Sequence, residues 1–195
     1  MHAPSAQTEL DRAVADYRRT ADIAVLLGRL DVIAKAHSAE QLVAALEPYM
    51  GLHEVAGPVF EVIVAREPDN ARALVALANA YWLTGRGPEV VSELAARARA
   101  ADSGNRAAWH LWALAQPTPR ERTDRWREVV DKFPEDDLAR ANLADNAASL
   151  AGAENDPVAL KIAVASYEHL LTRATHDDQR AALQRALDTL RNWAP

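Results

Sequence analysis

Six histidines, His2, His37, His53, His110, His169 and His176, are the side chains of this 195-residue sequence best suited to hold a metal or move a proton near neutral pH. No two stand three or four residues apart, the spacing by which one helix face presents a chelating pair. His37 with Glu40 comes nearest, and a helix start that favours an acid accounts for it. The densest group of acids and amides is Asp136, Asp137, Asn142, Asp145 and Asn146. Asp136-Asp137 follows Pro134, where helix-start acids complement the macrodipole, and no second constellation completes a paired-carboxylate arrangement. No phosphate-cradling glycine loop, G-x-S-x-G elbow or H-E-x-x-H is present, and the absence of cysteine excludes thiolate chemistry, disulfides and Cys-based zinc sites. The reading is of a protein that is not an enzyme, with no catalytic residue, metal or cofactor.

Charge gives a second possibility to weigh. The net charge is −6, which offers no general attraction to phosphate backbones. From Arg97 to Arg127, however, seven arginines (97, 99, 106, 120, 122, 125 and 127) face only Asp102, Glu121 and Asp124. Glu121 to Arg125 and Arg127 to Asp131 are spaced as ion pairs on a solvated helix face, so nucleic-acid binding is the weaker reading.

The elements that must carry these residues are helical. Alanine fills about a fifth of the positions, Leu, Arg and Glu are frequent, and period-two runs of β-branched residues are missing. Apolar residues make up 49% and charged residues 26%, the proportions of a globular chain. The longest apolar stretch, from Ile23 towards Ala34, is broken by Arg29 and Asp31, so no membrane span is expected. The amino terminus carries no basic and apolar leader, and cytoplasmic residence is the expectation.

An internal period organises the chain. Leu74-x2-Leu77-Ala78-x2-Tyr81 is followed by Gly85, by Gly87-Pro88, and by Val90-x3-Leu94. Upstream, Ala56-x3-Phe60 precedes Pro68 by the same spacing at which Arg122-x3-Trp126 precedes Pro134 and Ala163-x3-Tyr167 precedes Thr175. Gly51 and Gly85, Val43 and Leu77, and Pro68 and Asp102 are all 34 residues apart. Trp109-x2-Trp112-Ala113 and Arg140-x2-Leu143-Ala144 continue the series. This pattern resembles the tetratricopeptide-repeat family, whose helical hairpins follow a 34-residue W-x2-L-G-x2-Y…A-x3-F…P motif, and the resemblance covers residues 37–175.

The resemblance implies an all-α solenoid of stacked antiparallel hairpins with units at about 37–70, 71–104, 105–136 and 137–175. Residues 1–36 read as a helical cap and 176–195 as a capping helix with Ala182, Leu183, Ala186, Leu187 and Leu190 on one face. Ser38-x-x-Gln41, Thr118-Pro119-x-Glu121 and Asp156-Pro157 mark helix starts. Small Ala56, Ala78, Ala113 and Ala144 are expected where helices approach closely, with Phe60, Trp126 and Tyr167 filling the space between hairpins. Pro48 and Gly57-Pro58 are expected to kink the first unit or delay its start, and about seven extra residues near 152–157 to lengthen the helices or loop of the fourth.

By the same resemblance, first helices line a concave groove. The lining positions carried over are Gln41, Ala45 and Tyr49; Arg72, Asn79 and Trp82; His110 and Leu114; and Asn142, Asp145 and Ser149. Asn79 and Asn142 would hydrogen-bond a peptide backbone, Trp82 and Tyr49 would anchor side chains, and Arg72 would pair with a carboxylate. The family's carboxylate clamp for chaperone tails fits poorly, because Val75 stands where a lysine is expected and His110 or Leu111 where a second asparagine is. The functional expectation is a scaffold or assembly factor gripping a peptide or helix of another protein. The alternative is a homo-oligomeric module pairing through Trp109, Trp112 and Trp193.

Overall fold

The computed structural model describes residues 4–193, so His2 and the rest of the extreme amino terminus lie outside it. Among the described residues there are eleven α-helices and no strand. They are α1 (Ala6–Thr20), α2 (Ile23–Ala36), α3 (Ala39–Leu46), α4 (His53–Arg66), α5 (Ala71–Leu83), α6 (Pro88–Ala101), α7 (Arg106–Leu114), α8 (Pro119–Lys132), α9 (Asp137–Glu154), α10 (Pro157–Arg173) and α11 (Asp177–Arg191). Backbone contacts group them into two compact units, Met1–Leu111 and Trp112–Pro195.

Helix boundaries follow local chemistry. Asp22, Ser38, Asn70, Thr118, Asp136 and Asp156 each accept a backbone N–H of the first turn and so satisfy donors that have no partner within the helix. Ser38 and Gln41 complete a reciprocal capping box. Thr118 instead spends its hydroxyl proton on the Glu121 carboxylate at 2.8 Å while accepting the Glu121 amide. Gly85 (φ 71°) and Gly87 (φ 98°) turn the chain between α5 and α6 with backbone angles that other residues resist. Pro88 then opens α6.

In the first unit α1 packs on α2 and α3, α2 on α4, α4 on α5, and α5 on α6. The residues before the expected repeats therefore form a hairpin of their own. The alanines singled out by the period lie where helices meet: Ala56 is 2% exposed and Ala78 0%, with Phe60 at 1%. A proline inside a helix removes one hydrogen bond, yet α4 runs from His53 through Pro58 without interruption. Pro48 is accommodated differently, in a 3-10 turn (Glu47–Tyr49) that ends α3. Register differs from the motif at Val90, which opens the Val90-x3-Leu94 pair but is 41% exposed while Val91 is fully buried. Pro88 starts α6 so close to Val90 that Val90 remains in the first turn. Two arginines brace successive linkers, Arg66 donating to the His37 carbonyl and Arg97 to the Pro68 carbonyl, each at 2.9 Å.

In the second unit α8 packs on α9, α9 on α10, and α10 on α11. Ala113 and Ala144 are 0% exposed and Trp126 is 2% exposed. The extra residues expected near 152–157 fall within long helices: α9 has 18 residues and α10 has 17, joined by Asn155 and Asp156 alone. α11 buries Leu187 against the unit and turns mostly polar residues outward, as an end helix does. Trp193 packs on the cluster of Leu150, Ala151 and Ala159.

Candidate functional site

α5 buries one face through Ala73, Leu74, Leu77, Ala78 and Ala80. Arg72, Val75, Asn79 and Trp82, at helical spacing, occupy the other, with Leu83 beside them. Arg72 reaches across to Glu47 of the 3-10 turn and forms an exposed ion pair. The Asn79 side chain is exposed and makes no hydrogen bond to any described residue. Trp82 is 38% exposed and Leu83 55%. Of the five tryptophans, Trp82 alone is exposed.

The other positions expected to line a groove have intramolecular work. Gln41 accepts the Ser38 amide at 3.0 Å, and Ala45 is buried. Tyr49 is half-buried and donates its hydroxyl to Asp11 of α1; burial, then that bond, pushes its phenol above the ordinary value. His110 is half-buried and engaged with neighbours. In the second unit Leu114 is half-buried, Asn142 returns its amide to the Leu138 carbonyl at 2.9 Å, and Ser149 donates to the Asp145 carbonyl at 2.9 Å. Asp145 accepts the Tyr167 hydroxyl, and burial with that bond raises the Tyr167 phenol far above its usual range.

A third tyrosine–carboxylate pair joins Tyr81 to Glu61 at 2.7 Å, its phenol pushed up to about 12 by burial and by the carboxylate. None of the three pairs is visible in sequence, because the partners are 20 to 38 residues apart.

The clustered acids and amides make intramolecular contacts. Asp136 caps α9, Asp137 holds Arg173 at 2.7 Å, and Asn146 bonds the Asn142 carbonyl. His37 meets Glu9 at 2.8 Å rather than Glu40. No group of three metal-ligating side chains occurs among the described residues. Several arginines of the arginine-rich stretch are engaged within the chain. Arg99 lies 3.7 Å from the centre of the Trp109 ring and Arg125 lies 4.2 Å from that of Trp112. Arg120 joins Glu154 to Asp156, the cap of α10. The hydrogen bonds of Asp156 to the Ala159 and Val158 amides, with Arg120, hold its carboxyl below the usual range.

Comparison with known proteins places the fold. The chain resembles a crystal structure of TTC0263, a thermophilic TPR protein of Thermus thermophilus, with TM-score 0.57 and 18% identity over 94% of this chain and 99% of that one. A crystal structure of MamA matches with TM-score 0.59 and 15% identity over 83% of this chain and 96% of that one. A MamA RS-1 ArsTM double mutant matches with TM-score 0.56 and 15% identity, covering 96% and 99%. No protein-family profile matches the sequence, and no curated protein matches it closely enough to count. The fold is therefore that of a tetratricopeptide-like array of helical hairpins. No described helix is long and apolar enough to cross a membrane.

Proposed function

We propose that the chain is a protein-interaction scaffold that grips a peptide or helix of another protein, and that α5 provides the principal contact. The observation that carries this is the exposure of Trp82 and Leu83 beside an unengaged Asn79, on a helix whose opposite face is fully buried. Exposed aromatic and aliphatic anchors next to polar groups make binding hot spots, and an amide without an internal partner is available to a peptide backbone. Arg72 would exchange Glu47 for a carboxylate of the partner, a swap that costs little because the existing pair is solvent-exposed. Gln41, Tyr49 and His110 stand as supporting positions in the first unit. The test is affinity capture with wild type beside the Arg72→Ala, Asn79→Ala, Trp82→Ala triple variant. Selective loss of one captured protein supports the reading, and equal capture by both removes α5 from it.

A second reading, self-association, draws on α2, where Ile23, Val25, Leu27 and Val32 are 42–67% exposed. It does not draw on Trp109, Trp112 or Trp193, because Arg99, Arg125 and the Leu150 cluster cover them. Sedimentation of wild type and a Val25→Ser, Val32→Ser variant decides it. A dimer lost on substitution favours the reading, and a monomeric wild type ends it.

A further inference from the structure

Away from the outer face of α5, the first unit holds a partly enclosed cleft of about 180 Å3 among α2, α4 and the end of α5. Ile23 and Leu27 of α2 and Pro58 of α4 supply apolar walls. Glu54, Glu61, Tyr81 and Arg86 supply charge and a ring, and His53 completes the titratable groups. Neither glutamate has a cationic partner among the described residues: Glu61 accepts only the Tyr81 hydroxyl, and Glu54 forms no ion pair. The arginine of the lining, Arg86, lies 5.2 Å from the centre of the Tyr81 ring. A shallower hollow of about 500 Å3 shares Glu61 and Tyr81 with the cleft and adds Glu93 and Arg97, together with Val64, Leu77 and Val90; Arg97 also donates to the Pro68 carbonyl.

Size, wall and charge together select a ligand. The volume falls below the roughly 300–1,000 Å3 typical of small-molecule sites, so one side chain fits better than a cofactor. Apolar walls beneath carboxylates suit a side chain with a methylene stem and a cationic head. The adjoining hollow gives the flanking residues of an amphipathic segment an apolar bed, with Glu93 and Arg97 offsetting each other at its edge, so the selection for a cation rests on Glu54 and Glu61 of the cleft. We propose that this cleft receives a lysine or arginine side chain from a basic peptide segment of a partner protein. Arg86 opposes the incoming cation and so sets the affinity. The inference shares with the proposed function only that the partner is a protein, and it uses none of Arg72, Asn79 or Trp82.

The test is an amide-shift titration of the full chain with acetyl-leucyl-lysyl-leucine amide and with its norleucine and glutamate analogues. The expected result is saturable shifts at Gly57 and Thr84 with the lysine peptide alone. Glu54→Gln and Glu61→Gln should each weaken binding about two- to fivefold and Arg86→Gln should strengthen it by about as much, the scale of single solvent-screened charges. The α5 triple variant should leave this binding unchanged, which separates the inference from the α5 assignment. Equal binding of the norleucine peptide, no shifts at the cleft, or weaker binding by Arg86→Gln would overturn it.

Discussion

α5 and α9 each open a helical hairpin, with α6 and with α10, yet they use their polar residues in opposite ways. On α9, Asn142, Asn146 and Ser149 return hydrogen bonds to their own helix, and Asp145 is tied to Tyr167. On α5, Asn79 is unengaged and Trp82 and Leu83 stand in solvent. Side-chain bonds to the preceding turn satisfy the polar groups of α9, whereas on α5 an aromatic and an aliphatic side chain stand exposed beside an unbonded amide. On the proposed function, the contrast separates residues that serve the fold from residues left for a partner.

Predictions that probe this contrast fall in order of size. Ala78→Trp and Ala144→Trp should each cost about 3 kcal/mol or more, because both alanines are 0% exposed and a packed interior has no room for an indole. Thermal unfolding should show the loss equally in α5 and α9, since here the two helices are alike. Trp82→Ala should weaken partner binding by about 2 kcal/mol, the hot-spot scale, while changing stability by about 0.5 kcal/mol. Calorimetric titration beside urea unfolding would read the two effects apart. Tyr167→Phe should cost about 1 kcal/mol of stability by removing its bond to Asp145, and leave partner binding unaltered.

Two titrations sharpen the assignment of fold-serving residues. Folding raises the Tyr81 phenol to about 12, so its neutral form is favoured in the native state. That stability is fully present below the ordinary tyrosine value of about 10 and is lost as pH rises through about 12. Tyr81→Phe should therefore show a shallower alkaline loss in urea midpoints than wild type. Folding lowers Asp156, so its contribution is present above the usual carboxylate range and is lost as pH falls through the lowered value. Asp156→Asn should flatten the acid limb.

Much of the fold is legible in the sequence because repeat packing depends on residue size at fixed spacing. Ala56, Ala78, Ala113 and Ala144 occupy the small-residue slots of the repeat pattern, and each lies in the core. The helix starts at Ser38, Thr118 and Asp156 are readable because capping is local, settled within three residues. The tyrosine–carboxylate pairs are not, since packing between helices rather than spacing along the chain selects their partners. The same limit hides the fate of the tryptophans. Trp109 and Trp112 look available until Arg99 and Arg125 are found stacked on them. The candidate binding positions come from resemblance alone, which marks a helix face but cannot tell that Asn142 bonds its own backbone while Asn79 does not.

The most direct measurement is affinity capture from cell lysate with three folded baits: wild type, the Arg72→Ala, Asn79→Ala, Trp82→Ala variant of α5, and an Asn142→Ala, Asp145→Ala, Ser149→Ala variant of α9. The account predicts that one protein captured by wild type is retained by the α9 variant and lost from the α5 variant. Its retention by the α5 variant, or its loss from the α9 variant alone, would contradict the assignment of the partner contact to α5.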